Sequence, residues 1–281
     1  MSIWQNKNWP QFQWSLETLL PLLLEIRRKQ GELTHRGFSA HNHIDQAVTQ
    51  EQLLQWKAQT SLPVRNYRNF VVPQAPHSDY IQAEMNRFIR WFNLNDKKTD
   101  GLLRAGIAHL WFLTIRPFDD GNQRVASVIT DLALAQDEKI NFKRSSLSSI
   151  ILNEKRTYDD ILLRTQNSSD LEITSWLQWF LNAYLRSLSD CELKVEQNIQ
   201  AEEYWLRWKD HALNERQRKV LQAMLEFDQE EAFEKEMTNR KYVNLTATSS
   251  ESAKRDLADL LEKDILARNP GSGRSTSYSL K

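Results

Sequence analysis

What most constrains this chain is a break in an apolar run. Gly106-Ile-Ala-His-Leu-Trp-Phe-Leu-Thr-Ile115 stops at the polar stretch Arg116-Pro117-Phe118-Asp119-Asp120-Gly121-Asn122-Gln123-Arg124. Apolar side chains then resume at helical spacing, at Val125, Val128, Ile129, Leu132 and Ala133. The pattern predicts two apolar helices joined by a short polar loop. Pro117 closes the first helix, because its ring disfavours helical geometry at Arg116 and its nitrogen carries no proton. Gly121 and Asn122 tolerate positive φ, which a sharp turn into a second helix often needs. The turn leaves backbone N–H groups unpaired at the start of that helix, and with Arg124 in the first turn it makes a ready anion site. Phosphate chemistry suits such a loop: amides and Arg124 around a nucleotide phosphate, with Asp120 holding a magnesium ion that bridges to it. The same spacing also suits a plain helix–helix turn with acidic residues near a helix N-terminus. Both readings stand on spacing alone.

The stretch resembles the signature of the Fic family, His-Pro-Phe-x-Asp-Gly-Asn-Gly-Arg-x-x-Arg. Pro117, Phe118, Asp120, Gly121, Asn122 and Arg124 match it, whereas Arg116 stands for the His, Gln123 for the second Gly and Ser127 for the last Arg. Enzymes with this signature transfer AMP from ATP to a hydroxyl of a target protein. The resemblance implies Asp120 as metal ligand, Gly121, Asn122, Gln123 and Arg124 as the nucleotide-binding cradle, and Phe118 as a plug into the core. It also implies magnesium and ATP as cofactors, bound weakly or not at all here. The family's His takes the proton from the attacking hydroxyl, a task for a group that is neutral near pH 7. Arginine stays protonated and has no acceptor, so Arg116 is not expected to act as that base. Gln123 puts a side chain where glycine lets a phosphate approach the backbone, and Ser127 supplies no cation for the outer phosphates. The signature is degenerate.

Length sets a soft expectation of two domains for 281 residues. Formal net charge is zero, with 37 Lys and Arg against 37 Asp and Glu, so no global field draws the chain to nucleic acid or an acidic membrane. A lone cysteine, Cys191, excludes an intramolecular disulfide framework and suits a reducing, cytoplasmic setting. The N-terminal stretch Met1–Pro10 has no apolar signal core, and the leucine-rich run Leu19–Leu24 is far too short to span a bilayer. Scarce glycine and long amphipathic stretches predict a mostly helical protein.

Residues 1–50 read as a shortened N-terminal helical extension. Trp4, Trp9, Phe12 and Trp14 precede a helix from about Ser15, a plausible N-cap, to Gln30, with Gly31 as its C-terminal stop. Trp-Pro-x-Phe-x-Trp through Gly31 resembles the extension of one Fic subgroup. That subgroup continues with a Ser-Ser-x-Ile-Glu-Gly-Glu helix whose Glu pairs with the signature's last Arg and blocks ATP. No Ser/Thr-x-x-x-Glu-Gly/Asn occurs here, so the inhibitory Glu and the Arg it would hold are both missing. His35, His41 and His43 lie in the join and lack the second His pair or Cys that a zinc site needs.

Residues 51–190 read as the Fic-like domain. They open with a helix over 50–60 and an extended flap, Leu62–Pro73, which in the family forms a hairpin that adds the target as a strand. Arg65, Tyr67 and Arg68 lie on the flap. Helices follow over 79–94, 101–115, 146–166 and 171–188 by period. His109, beside Leu110 and Trp111, reads as a satisfied core residue. Residues 191–210 form a charged linker helix.

Residues 211–281 read as a winged helix-turn-helix: a helix over 213–225 capped by Asn214, a short one over 241–245, a third opened by the box Thr248-Ser-Ser-Glu251, then a hairpin from Ile265 to Leu280. Its third helix would enter the major groove with Ser250, Lys254 and Arg255, and Arg274 would sit on the wing near phosphates. From His211 onward the charges balance, so DNA binding and a protein-interaction role both stay open.

The expected architecture is all-α: a Fic-type helical core with a short β-hairpin flap and a C-terminal winged helix. The expected function is that of a protein resembling AMP-transferases, with activity lost or reduced. The alternative is a DNA-binding regulator that uses the Fic fold as nucleotide sensor or dimer scaffold. Nucleotide, DNA, a protein target and a second copy of the chain are the partners this implies; a membrane is not.

Overall fold

The computed structural model describes residues 2–35, 75–94, 99–139, 147–226, 236–270 and 276–281. Outside them lie the helix expected over 50–60, the flap with Arg65, Tyr67 and Arg68, His41 and His43, and Arg274. The described residues are mostly helical and carry one two-stranded sheet. No described helix is long and apolar enough to cross a membrane. The chain divides into two compact units, Met1–Glu192 and Leu193–Lys281.

The first unit contains α1 (Leu16–His35), α2 (Ser78–Asn93), α3 (Gly101–Ile115), α4 (Asn122–Glu138), α5 (Leu147–Asn153), α6 (Lys155–Gln166) and the start of α7 (Thr174–Arg207). At its centre is α3, buried from Leu102 to Phe112 without interruption, because its sequence is apolar on every side. Both α2 and α4 pack on it. Gly106 lets α7 approach: a Cβ there would lie 2.9 Å from Leu177 Cδ2 and 3.0 Å from Phe180 Cδ1. The indole of Trp176 then donates to the Gly106 carbonyl at 2.9 Å.

At the N-terminus the aromatic cluster is core. Trp9, Phe12 and Trp111 meet edge to face at 5.1–6.0 Å, and the Trp9 indole donates to Glu84 at 2.8 Å. Ser15 caps α1, its Oγ accepting from Thr18 N–H. The helix does not stop at Gly31, as its sequence suggests, but runs on to His35. Leu33, fully buried, supplies the reason: core packing outweighs a helix-interior glycine that costs about 1 kcal/mol. Arg27 ties three helices together, donating to Asp100 at 3.0 Å and to Asp137 at 2.9 Å. Asp100 is itself the N-cap of α3. The single helix expected over 146–166 is two, separated at Glu154, whose φ of −105° and ψ of 28° leave helical geometry.

The second unit contains the end of α7, then α8 (Glu215–Glu226), α9 (Asn239–Thr246), α10 (Ser250–Glu262), β1 (Leu266–Arg268) and β2 (Tyr278–Leu280). The strands pair antiparallel, Leu266 opposite Leu280 and Arg268 opposite Tyr278. Met237, just before α9, bridges to Tyr278 through two 2.8 Å backbone bonds, so a third segment joins this sheet. Asn214 and Gln217 form a reciprocal cap on α8, each side chain taking the other's backbone N–H at 2.9 Å. The cap of α10 falls one residue later than expected. Ser249, not Thr248, accepts from Ser252 N–H at 3.1 Å, because Ala247 turns left-handed (φ 50°) and delays the helix start.

Candidate functional site

The polar loop sits where its sequence puts it, between the C-terminus of α3 and the N-terminus of α4. Its backbone is set by two left-handed residues. Arg116 caps α3 at φ 52° and ψ 60°, its N–H still bonded to Phe112 O at 2.9 Å. Pro117 bars right-handed helical geometry there, and the chain leaves by the left-handed route, which costs a non-glycine residue about 1–2 kcal/mol. Gly121 is the other, at φ 78°, a geometry that glycine takes without cost. Asn122, paired with Gly121 in the expectation of positive φ, is instead the first residue of α4.

Asn122 closes the loop. It is only 6% exposed, and its amide reaches back to Phe118, with Oδ1 accepting Phe118 N–H at 3.0 Å and Nδ2 donating to Phe118 O at 2.5 Å. Both hydrogen-bonding faces of the side chain are spent on one residue's backbone. The Phe118 ring, half-buried, packs 6.3 Å from Phe112. Below the turn, Val125, Ala126 and Ile129 anchor α4 in the core.

No side chain caps α4 at Gly121. The first intrahelical bond runs from Val125 N–H to Gly121 O at 3.1 Å, so the amides of Asn122, Gln123 and Arg124 precede any i−4 acceptor within α4. Asp119 and Asp120 are exposed, and Asp120 Oδ1 takes Gly121 N–H at 2.5 Å. Gln123 and Arg124 are half-buried at this helix start, while Arg116 is exposed. Ser127, at the place of the signature's last Arg, turns its hydroxyl back onto Gln123 O at 3.1 Å. What the loop offers is therefore a tight turn, the amides of a helix start, two guanidinium groups and two exposed carboxylates, of which Asp120 lies next to the turn glycine. A phosphate fits the amides and cations, and a single carboxylate suits magnesium, which fills its remaining positions with water and phosphate oxygens. Among the described residues no group of three or more His, Cys, Asp or Glu could hold a metal by itself.

His109 is not part of this loop. Its Nδ1 lies 2.9 Å from Thr130 Oγ1, and its Nε2 lies 2.9 Å from the Tyr158 hydroxyl. Thr130 already donates to Ala126 O at 2.8 Å, so Nδ1 carries the proton and Nε2 accepts from Tyr158. Burial pulls the ring down from 6.5 to about 4 and pushes the Tyr158 phenol up from 10.0. It is a neutral core histidine.

In the second unit, Ser250, Lys254 and Arg255 are all exposed on α10. Ser250 Oγ accepts from Asn239 at 2.7 Å, linking α9 to α10, and Lys254 meets Glu251 at 3.2 Å. Sequence reasoning missed the role of Asp256. It is 7% exposed and accepts from Arg216 Nε at 2.8 Å, Asn214 at 2.9 Å and the Tyr242 hydroxyl at 2.9 Å. Burial alone would raise its pKa; these hydrogen bonds more than offset that and hold it below 3.8. The signal was its place on the buried side of α10, beside Ala253 and Leu257.

A crystal structure of a Fic family protein from Desulfovibrio desulfuricans G20 is similar to this chain at 15% identity, over 94% of this chain and 75% of that one, with a TM-score of 0.42. Residues 28–134, from within α1 to within α4 and including the loop, match the model of the Fic/DOC family. That segment is what the chain shares with the Fic/DOC family.

Proposed function

We propose that this is a Fic-type protein that keeps a phosphate-binding loop and has lost AMP transfer. One observation carries the reading: Arg116, exposed at the end of α3, occupies the position of the family's base. A guanidinium cannot take a proton from an attacking hydroxyl, and a general base is typically worth about 10²–10⁴-fold in rate. The amides of Asn122, Gln123 and Arg124, with the Arg124 side chain, would hold the phosphates of a nucleotide, and Asp120 would hold magnesium. Bound magnesium would neutralise phosphate charge. Arg116 adds a second cation toward the same anion. Gln123 and Ser127 weaken the site, the first by crowding and the second by supplying no charge.

The test is incubation with labelled ATP and magnesium, reading modification of the protein itself and of a cell lysate. No transfer is expected. Labelling that requires magnesium and disappears in Asp120→Ala would overturn the reading. Calorimetry with ATP, ADP and AMP is expected to show weak binding that Arg124→Ala abolishes; heat unchanged by that substitution would remove the loop as the binding site.

A second reading concerns residues 211–281, as a winged-helix DNA-binding module. The charge arrangement on α10 favours it. Asp256 is drawn inward to Arg216, and Asp259 is held by Gln217 and Lys263, each at 2.6 Å. Lys254 and Arg255 stay outward, Lys254 beside the exposed Glu251. Lys254→Ala with Arg255→Ala is expected to abolish binding to random-sequence duplex DNA. The wild-type affinity should fall as salt rises, with a logarithmic slope of roughly one for each phosphate neutralised. Binding that ignores salt, or none at low salt, would leave a protein-interaction role for this unit.

A further inference from the structure

The exposed apolar side chains of α1 form a line. Leu16, Leu20 and Leu24 follow at four-residue spacing and are 54%, 46% and 62% exposed. That spacing puts them in one row on the helix surface. A second row, Leu19, Leu23, Ile26 and Leu33, is buried in the first unit. The apolar arc of α1 is thus wider than the face its own unit covers. Single exposed leucines need no explanation; three in register along one helix mark a contact surface.

Charge decides what covers it. Glu17 and Arg28 are both exposed and lie along the outer edge of the row, near its opposite ends. Their separation along the axis is about 16 Å at the α-helical rise. In an antiparallel pair of α1 helices centred between residues 22 and 23, Glu17 of each copy faces Arg28 of the other, and Leu20 and Leu24 of the two copies interleave. A parallel pair would put the two Glu17–Arg28 edges on opposite sides of the seam, where neither charge meets its complement. Arg28 already bonds Glu32 one turn on, but a guanidinium carries five donors and serves two carboxylates. We propose that a second copy of this chain docks on this row, α1 against α1, antiparallel. A helix of this length covers an area at the lower end of specific interfaces, on the order of 1,000 Å² in total. The association should therefore respond to concentration and to salt.

Sedimentation of the full chain across a range of concentrations tests it. The expected result is a monomer–dimer equilibrium that shifts toward monomer at high salt. Leu20→Asp should give monomer at every concentration, with circular dichroism and thermal unfolding unchanged, since the side chain is half in water. Glu17→Arg and Arg28→Glu should each weaken the dimer by about tenfold, and the double variant E17R/R28E should restore it to within about twofold. A wild-type protein that stays monomeric overturns the proposal. So does a Leu20→Asp protein that loses thermal stability without changing mass, because the row is then covered within its own chain. A dimer indifferent to Leu20→Asp overturns it by using another surface. A double variant that fails to restore association overturns the antiparallel arrangement.

Discussion

Between pH 6.5 and pH 4 the first unit is expected to lose about 3 kcal/mol of stability from His109 alone. The ring titrates near 6.5 when unfolded and near 4 in the core. Above pH 6.5 neither state binds a proton and the group contributes no pH dependence. As pH falls below 6.5 the unfolded chain takes up a proton that the folded chain refuses, so unfolding gains free energy at about 1.4 kcal/mol per pH unit. The loss is complete near pH 4, where the folded ring protonates too. That charge would enter a site with no acceptor for it, since Thr130 spends its proton on Ala126 O and Tyr158 points a donor at Nε2. Urea unfolding at pH 7.5, 5.5 and 4 measures the loss. His109→Asn should be less stable at pH 7.5 and should show a pH slope shallower by that amount. Parallel slopes for the two proteins would assign the acid sensitivity to other groups. The carboxylates of Asp256 and Asp259 act in a separate window, because groups held below 3.8 surrender stability only as pH falls through that range.

Asp256→Ala is the second large effect, expected to cost the C-terminal unit about 2–4 kcal/mol. The carboxylate is one acceptor shared by three donors from two other segments, Asn214 and Arg216 at the head of α8 and Tyr242 in α9. Removing it strands the buried Tyr242 hydroxyl and frees the start of α8 from α10. The Arg216 guanidinium, 44% exposed, recovers water and adds little to the cost. Tyr242→Phe removes one partner and leaves Asn214 and Arg216, so about 1 kcal/mol is expected. Hydrogen exchange of α9 and α10 amides in the intact chain reads both. Equal protection in wild type and Asp256→Ala would show that apolar packing alone holds the three helices together.

These residues show where sequence reasoning reaches and where it stops. The bounds of α2, α3 and α8 follow from local chemistry: an unbroken apolar face, a proline after Arg116, and an Asn214–Gln217 pair at capping spacing. Tertiary packing decided the rest. Gly31 reads as a stop, yet Leu33 has a pocket to fill and draws the helix on. Glu154 carries no breaking residue type and still ends a helix, since α5 and α6 must each turn a separate apolar side to the core. At the loop, the turn and the helix start behind it were legible from Pro117 and Gly121. The aim of the side chains was not. The resemblance implied Asn122 as one more cradle residue, and nothing in the spacing showed that its side-chain amide bonds the Phe118 backbone. Spacing also left Asp256 as one acid among many balancing charges, although Arg216 and Asn214 reach it from 40 and 42 positions away in sequence.

Asn122 carries a wider consequence. The loop owes its shape to a bond that begins and ends within five consecutive residues, with none of the supports supplied by whatever the loop binds. Shape and chemistry are thus separable inheritances in this stretch. On the proposed function, side chains at 116, 123 and 127 can change one at a time without the turn collapsing, because the Asn122–Phe118 bonds involve none of them. A chain built this way can abandon a reaction and still hand its descendants a finished socket, into which a different use can be fitted by changing side chains alone.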